Sequence, residues 1–445
     1  MNTPICDFVR EYEKKHTLRL HMPGHKGEEL LGPEKYDITE IDGADVLYRA
    51  NGIIAESQKN ASVLFGSKKT LYSTEGSSLC IRAMLFLVKA YAVKNGRGAV
   101  IAAGRNAHKV FMTAAALLDI DVRWLKGNSR EILSCEITAE YLDRYLQSAD
   151  EKPAAVYITS PDYLGNISDI KGLAEVCGRH SVLLIVDNAH GAYLNFLDEN
   201  KHPLHLGAHM CCDSAHKTLP ALTGGAYLHI GENAPVFFSE NAENALSMFS
   251  STSPSYLILQ SLDKVNGFLY DGYRQALSEF AEAVAQLKRR LAEKGYYLSG
   301  TEPLKITIKT KPYGYTGEEF SNILKEKNAV CEFYDKDYCV LMLSVQHGKD
   351  GLSALEEILC SIPKRDEITD LPPEIPESTK GMSMKDALFA ACVYLPVGEC
   401  EGKILASPCV SCPPAVPVAV CGDIISKATI ECFKYYNIDT LWVVK

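Results

Sequence analysis

Lys217 lies among small and hydroxylated residues that could present its amine to an electrophile. The stretch reads Ser214-Ala215-His216-Lys217-Thr218-Leu219-Pro220-Ala221-Leu222-Thr223-Gly224 and follows an apolar segment. A lysine amine placed beside a histidine can form a Schiff base with an aldehyde. Because most lysines are solvated charges, this interpretation depends on partner residues elsewhere in the chain.

A turn rich in hydroxyl groups leads into a predicted helix and could hold a phosphate. The turn reads Ser73-Thr74-Glu75-Gly76-Ser77-Ser78, and the helix is predicted over Ser78 to Val93. Free N–H groups and hydroxyls at a helix start bind phosphate well, although such starts are more often plain N-caps. The Glu75 carboxylate would repel a phosphate, so we expect it to point away or to pair with a base.

Asp187 and His108 each follow a predicted strand and could hold an aromatic ring between them. Asp187 ends an apolar run, where a carboxylate can pair with a protonated ring nitrogen, and Ala189 is small enough for a flat ring to lie against it. His108 could stack on the opposite face. Taken singly, the acid could be a turn residue and the histidine a capping residue. Together with the phosphate turn and Lys217 they predict a pyridoxal phosphate site.

Short apolar runs alternate with helical segments between residues 70 and 230, which predicts an α/β fold with a mostly parallel sheet flanked by helices. The predicted strands are Ala99 to Ala103, Ala154 to Thr159, Val182 to Val186 and Ala226 to Ile230. The predicted helices are Ser78 to Val93, Ala107 to Leu118, Thr138 to Ser148 and Ile170 to Cys177. Ligands of such sheets bind at the carboxyl ends of the strands.

Five segments are expected along the chain. They are an N-terminal arm (1–60), a large cofactor-binding domain (61–255), a small α/β domain (256–365), a linker (366–380) and a C-terminal α+β module (381–445). A long helix is predicted from Ser255 to about Gly295. In the small domain we expect strands at Leu304 to Thr310 and Tyr338 to Ser344, and helices at Gly317 to Lys327 and Gly351 to Cys360. Prolines and charges between Ile362 and Glu377 indicate an exposed linker.

The composition is that of a globular protein, with 445 residues and a formal charge of 46 − 56 = −10. This charge argues against a general nucleic-acid binder and against a protein that binds anionic membranes. The apolar runs are shorter than the roughly 20 residues that span a bilayer. The N-terminus lacks the basic and apolar regions of a secretory signal, so we expect a cytoplasmic protein.

Cysteines and histidines raise the question of a metal site. The 15 cysteines are odd in number and irregular in spacing, which favours buried thiols in a reducing compartment. Cys409-Val410-Ser411-Cys412 has the spacing of half a zinc site, but no second pair accompanies it. His202, His205 and His209 form a loose cluster in a predicted loop that leads into a strand. We expect no metal at either place.

Several longer motifs occur along the chain. They are His21-Met22-Pro23-Gly24-His25-Lys26-Gly27, Asp37-Ile38-Thr39-Glu40, Ser214-Ala215-His216-Lys217 and Ser251-Thr252-Ser253-Pro254-Ser255-Tyr256. Together they resemble the bacterial ornithine/lysine/arginine decarboxylases of the aspartate-aminotransferase fold, or fold type I. Near the C-terminus, Cys412-Pro413-Pro414-Ala415-Val416-Pro417 is similar to the family's Tyr-Pro-Pro-Gly-Ile-Pro. The chain looks like the short form of Gram-positive bacteria, without an N-terminal wing domain.

The resemblance implies a role for each residue of the cofactor site. Lys217 would anchor pyridoxal phosphate covalently, Asp187 would pair with its ring nitrogen, and His108 and Ala189 would lie on the two ring faces. The residues that would bind the phosphate are Gly76, Ser77, Ser78 and Ser214.

The resemblance also implies a homodimer or a higher homo-oligomer with the active site at the dimer interface. There the Ser251-Thr252 segment would reach the phosphate of a neighbouring subunit, and His216 would contact the substrate carboxylate or the reacting carbon. Three positions depart from the family pattern, since Glu75 replaces an asparagine, Val110 a serine and Asn188 a glutamate. These changes put the rate and the substrate preference in doubt, but not the cofactor chemistry.

The implied reaction is decarboxylation of a basic L-amino acid to agmatine or a diamine, which would feed polyamine synthesis. Arginine or lysine is expected before ornithine. An aminotransferase or a lyase would use the same Lys217 and Asp187, although an aminotransferase would want an arginine for a second carboxylate, and none can be placed. A non-catalytic regulatory relative is a third alternative, and the intact Lys217 and Asp187 count against it.

Overall fold

Helices and strands alternate through most of the chain. The computed structural model describes residues 1–127, 134–374, 376–411 and 417–445. They form two compact units, one of residues 1–98 and 170–277 and the other of residues 99–169 and 278–445. The expected domain boundaries near residues 60, 255, 365 and 380 stay predictions.

The first unit has a group of four strands: β1 (Lys69–Ser73), β5 (Leu183–Asp187), β6 (Met210–Asp213) and β7 (Ala226–Ile230). Their order is β1-β7-β6-β5, with β5 parallel to β6 and with β7 antiparallel to both of its neighbours. The helices of this unit are α1 (Pro4–Lys14), α2 (Ile53–Phe65), α3 (Gly76–Lys94), α6 (Ile170–Arg179), α7 (Ala215–Thr218), α8 (Val236–Ser247) and α9 (Tyr256–Tyr270).

Helix α3 is a core helix of the first unit. Its fully buried side chains include Leu79, Met84, Leu85 and Val88. Among the described residues it is also the one helix whose length and apolar composition would suffice to cross a bilayer. Half of its apolar stretch is buried inside the protein. Such burial is what a core helix of a globular domain shows, and its packing accounts for its composition.

The second unit has three parallel strands, β2 (Val100–Gly104), β3 (Asp121–Leu125) and β4 (Ala155–Thr159), in the order β4-β2-β3. Helices α4 (Lys109–Leu117) and α5 (Ala139–Ser148) belong to this part of the unit. Helix α10 (Tyr273–Glu293) leads from the first unit into a second, antiparallel sheet. That sheet has the order β10-β11-β9-β8 and is formed by β8 (Tyr297–Ser299), β9 (Lys305–Lys309), β10 (Phe333–Tyr334) and β11 (Tyr338–Met342).

Two helices and a C-terminal module complete the second unit. The helices are α11 (Gly317–Glu326) and α12 (Gly348–Cys360). The module contains α13 (Met384–Phe389), α14 (Lys427–Tyr435), β12 (Thr379–Lys380), β13 (Cys392–Pro396), β14 (Cys409–Ser411), β15 (Pro417–Val420), β16 (Asp423–Ile424) and β17 (Thr440–Val444). Its strands pair as β12-β16, β13-β17 and β14-β15 around a core that includes Leu405, Phe433 and Val443. Of the predicted family motif at residues 412–417, residues 412–416 lie outside the described residues, and Pro417 begins β15.

The strands and helices predicted between residues 70 and 230 are confirmed to within two residues at each end. The strands and helices predicted for the small domain are confirmed to within three residues at each end. The described residues from 366 to 378 form no helix or strand, whereas Thr379 and Lys380 of the predicted linker form β12. Strands β1 and β3 were not predicted, because β1 begins with a lysine and β3 carries charges and is mostly half-exposed. Four-residue strands such as β6 lack a readable alternation of apolar residues.

The single helix predicted from Ser255 to about Gly295 is wrong. The chain forms α9 and α10 instead, with Asp271 and Gly272 between them. Gly272 has φ +79°, a left-handed conformation that ends a helix and that other residues rarely adopt. The apolar period continues on both sides of this break, so the pattern alone did not reveal it.

Candidate active site

Four strand ends of the first unit meet at one edge. Ser73, Asp187 and Asp213 end β1, β5 and β6, while Ala226 begins the antiparallel β7. Because β7 runs the other way, its first residue pairs with the last residue of β1. The predicted phosphate turn, Asp187 and Lys217 all lie at or just after strands that end at this edge, as expected for ligand sites of α/β sheets.

Lys217 lies in the single-turn helix α7, and its amine faces an imidazole. Its Nζ is 3.1 Å from Nε2 of His190, which is only 6% exposed. The Lys217 backbone N–H donates to the carbonyl oxygen of Ser214 at 3.0 Å, which keeps the turn closed. A half-buried amine beside a nitrogen base suits attack on a carbonyl. His190 was not singled out from the sequence, although it stands three residues after Asp187 in the same turn.

Asp187 is 3% exposed and is held by neighbouring donors. Its Oδ1 accepts the backbone N–H of Ala189 at 3.2 Å and lies 3.6 Å from Sγ of Cys212. Burial raises the pKa of the Cys212 thiol, so the thiol stays protonated and donates to the carboxylate. A buried carboxylate at this edge fits the predicted role of pairing with a protonated ring nitrogen.

A cradle of hydroxyl groups lies at the start of α3. The Ser214 hydroxyl donates to Oγ of Ser77 at 2.7 Å, and both serines are buried. Gly76 has φ +71°, and a Cβ added there would meet only Cε1 of His216, at 4.0 Å. The cradle is therefore open above Gly76, and the half-buried Ser78 follows on the first turn of α3. Hydroxyls and a helix start around an open space fit a phosphate group.

His216 also faces this cradle. Its Nδ1 lies 3.0 Å from the carbonyl oxygen of Gly225, which also accepts the His216 backbone N–H at 3.2 Å. Because a carbonyl can only accept, Nδ1 carries a proton and Nε2 is the acceptor in the neutral ring. The half-buried ring can thus present either an acceptor or, when protonated, a second donor.

Glu75 and the segment around Thr252 meet beside the cradle. Oε1 of the exposed Glu75 accepts the backbone N–H of Ser251 at 2.7 Å, so within the described part of the chain this carboxylate pairs with an amide and not with a basic side chain. Thr252 is exposed. Its contact with the phosphate of a neighbouring subunit stays a prediction.

His108 belongs to the second unit, where it is exposed and caps a helix. Its Nδ1 accepts the backbone N–H of Val110 at 3.3 Å, and His108 is the N-cap of α4. This is the capping role that the sequence left open, and stacking of His108 on a ring stays a prediction. Val110 is buried in the first turn of α4.

The three clustered histidines lie in different surroundings. His205 is exposed, and the half-buried His209 accepts the Leu184 backbone N–H at 3.0 Å through Nδ1. His202 is fully buried and donates to Asp213. His202, Cys211 and Asp213 bring ligand-type atoms within 4.8 Å of one another, in the part of the chain that the structure describes.

Comparison with known proteins places this chain in a family. The family model described as "Orn/Lys/Arg decarboxylase, major domain" matches residues 3–311. The chain belongs to the Orn/Lys/Arg decarboxylase family. This confirms the resemblance drawn from its motifs.

Relatives and solved structures match along the whole chain. Arginine decarboxylase of Bacillus subtilis is 29% identical, over 98% of this chain and 94% of its own. Arginine decarboxylase of Halalkalibacterium halodurans is 26% identical, over 98% and 93%. The lysine decarboxylase of Francisella novicida has the same fold, with a TM-score of 0.81 at 16% identity over 100% of this chain and 81% of its own. The predicted fold type I is confirmed.

The protein is a pyridoxal phosphate-dependent amino-acid decarboxylase of this family. When bound, pyridoxal phosphate withdraws the electron pair that decarboxylation leaves at the substrate α-carbon. The residues of the first unit fit this group: Lys217 can anchor it, Asp187 can hold a proton on its ring, and the serine cradle can hold its phosphate. The imidazole of His190 can accept a proton from the Lys217 amine.

Proposed function

We propose that this decarboxylase acts on L-arginine or L-lysine, with arginine first and ornithine third. The products would be agmatine or cadaverine and carbon dioxide. Support comes from two curated relatives that each match 98% of the chain and carry the name arginine decarboxylase. The net charge of −10 is compatible with a cationic substrate.

The observation that carries the proposal is the grouping of Lys217, His190 and Asp187. An amine lies 3.1 Å from an imidazole, and a 3% exposed carboxylate ends the strand that leads into the same turn. These are the parts that bond cleavage at an α-carbon requires. A buried carboxylate is costly unless it is paired, and the protonated ring nitrogen of the cofactor would be such a partner for Asp187.

His216 is the residue that we propose to act on the substrate itself. Its ring faces the open space above Gly76, and its Nδ1–H is fixed on Gly225. From there Nε2 would contact the substrate carboxylate, or in its protonated form return a proton to the α-carbon. Lys217 would be the alternative proton donor.

We further propose a cytoplasmic homodimer that supplies polyamine synthesis, with Thr252 reaching the partner's phosphate site. Light scattering over the concentration range of the assay measures its mass, and we expect twice the mass of one chain. A fully active monomer would contradict the shared active site.

A substrate panel tests the proposed reaction. The holoenzyme is incubated with arginine, lysine and ornithine, while carbon dioxide, keto acid and amine products are measured separately. We expect carbon dioxide and the matching amine in equal amounts, fastest from arginine. Keto acid without carbon dioxide would instead identify an aminotransferase, and ornithine as the fastest substrate would overturn the proposed preference.

A further inference from the structure

We propose that Asp213 is a positioning residue of the cofactor site, which holds the Asp187-Asn188 turn against the strand that leads to Lys217. Asp213 is the last residue of β6, and Ser214 and α7 follow it directly. It is 0% exposed. The inference depends on the cofactor of the family and not on which amino acid is decarboxylated.

Asp213 accepts hydrogen bonds from three side chains. Its Oδ1 accepts from Nδ2 of Asn188 at 2.7 Å, and its Oδ2 accepts from Nε2 of His202 at 3.0 Å and from Nε2 of His229 at 3.2 Å. Asn188 is itself 0% exposed, and its backbone N–H donates to the carbonyl oxygen of Cys212 at 3.0 Å. Two bonds therefore tie the residue after Asp187 to the end of β6.

The protonation states support an ionised Asp213. Burial alone would raise the pKa of this carboxyl, but its interactions with His202 and His229 more than offset burial and hold the pKa below its usual range. Nδ1 of His229 lies 2.8 Å from Oγ1 of Thr70, which can donate to it. Burial lowers the pKa of His229, so a neutral ring donates to Asp213 and accepts from Thr70.

The buried charge of Asp213 fixes the geometry of its neighbours. A buried carboxylate with three donors is no more stabilising than an apolar side chain of the same size, and removing one partner is costly. It does fix geometry, because each donor must point at it. The neighbours so fixed are Asp187 on one strand and the Ser214–Lys217 segment on the next, which together must meet one rigid cofactor.

The same residues could be taken for a zinc site, but their distances favour hydrogen bonds. Nε2 of His202 lies 3.0 Å from Oδ2 of Asp213, which is an ordinary hydrogen-bond distance. Sγ of Cys211 is 4.0 Å from Nε2 of His202. Zinc–sulfur and zinc–nitrogen bonds of about 2.3 and 2.0 Å would bring these two atoms to about 3.5 Å in a tetrahedral site.

A reciprocal exchange tests the positioning role. Asn188→Asp sets two carboxylates against each other, whereas the double variant Asn188→Asp/Asp213→Asn restores the bond in the opposite sense. In that double variant the new amide can donate to the new carboxylate, while its oxygen still accepts from His202 and His229. Asn188→Ala removes the link without adding a charge, in case Asn188→Asp does not fold.

The measurements are the dissociation constant of pyridoxal phosphate, by fluorescence titration of the apoprotein, and the melting temperature of the apoprotein. We expect Asn188→Asp to weaken cofactor binding about tenfold or more, Asn188→Ala to weaken it about threefold, and the double variant to return within about threefold of wild type. Thr70→Val is the matched control, because it breaks the network on the side of His229. It should lower the melting temperature and leave cofactor affinity unchanged.

Three results would overturn the inference. The first is a double variant that binds the cofactor as weakly as Asn188→Asp. The second is a Thr70→Val variant whose cofactor binding weakens in step with its melting temperature, which would show a merely structural role. The third is a stoichiometric metal in the purified wild type that the double variant, which lacks the Asp213 carboxylate, loses. Cofactor binding by the wild type is measured first, so its absence would count against the proposed function and not against Asp213.

Discussion

Nζ of Lys217 lies 3.1 Å from Nε2 of His190, so the lysine that would anchor the cofactor faces a buried imidazole. His190 follows Asp187 by three residues. The end of β5 and the turn after it thus supply Asp187 and the base beside the amine, while the amine itself comes from the turn after β6.

Replacement of His190 should slow attachment of the cofactor. An amine must lose its proton before it attacks an aldehyde, and His190 can accept that proton; positioned bases contribute about 100-fold or more. We expect His190→Ala to slow attachment at least about tenfold, and His190→Gln to keep cofactor affinity while the rate stays low. Stopped-flow absorbance of apoprotein mixed with pyridoxal phosphate measures both. Wild-type rates in the two variants would exclude His190 as the base.

Loss of the Lys217 amine should abolish the covalent bond to the cofactor. We expect Lys217→Ala to lose the visible absorbance band of the bound cofactor and to lose turnover, because no other amine takes its place. Lys201→Ala is the control, since Lys201 is partly exposed and pairs only loosely with Glu199, at 3.4 Å. Full turnover of Lys217→Ala would show that the anchor is another lysine.

The serine cradle should recognise the phosphate and not the ring. Ser214→Ala removes the hydroxyl that donates to Ser77. We expect it to weaken binding of pyridoxal phosphate about tenfold, the size of a charge-assisted hydrogen bond, and to leave binding of pyridoxal unchanged. Titration of the apoprotein with both compounds measures the difference. Equal loss for the two compounds would place Ser214 away from the phosphate.

Gly76→Ala should combine backbone strain with a cofactor defect. A left-handed conformation costs a non-glycine residue about 1 kcal/mol, and the new methyl group would occupy the open space below His216. Gly66→Ala is the matched control, because Gly66 has φ +63° and no atom within 4 Å of an added Cβ. We expect both variants to lose similar stability in urea unfolding, and Gly76→Ala alone to bind the cofactor more weakly. Unchanged cofactor affinity in Gly76→Ala would contradict the position of the cradle.

His229 should make the apoprotein less stable in mild acid. Its pKa in the folded protein is below the ordinary value of 6.5, so the unfolded chain takes up the proton first as the pH falls. The free energy of unfolding therefore falls below about pH 6.5. His229→Gln keeps the donor to Asp213 without a titrating group. Between about pH 7.5 and 5.5 we expect its free energy of unfolding to fall by about 1 kcal/mol less than that of wild type. Urea unfolding at both pH values measures these free energies. An equal loss in the two proteins would refute the prediction.

Local features of the sequence pointed to the residues of the candidate cofactor site, whose roles stay predictions. Asp187 could be predicted because it ends an apolar run, and Lys217 because its neighbours are small and follow a strand. The break at Gly272 could not be predicted, because the apolar period of α9 continues into α10 on the other side. His108 shows the limit from another direction, since its position before α4 fits a cap as well as a ring stacker.

The sequence by itself determined the family and the cofactor, and it predicted the order of phosphate turn, acid and lysine, because each of these is encoded in a few adjacent residues. Only the tertiary structure decided which side chains meet. Asn188, His202, Asp213 and His229 are spread over about forty residues, and they converge because β5, β6 and β7 lie side by side in a fixed register. A contact between distant residues depends on strand order and register, which the short strand β6 does not reveal from its residues alone.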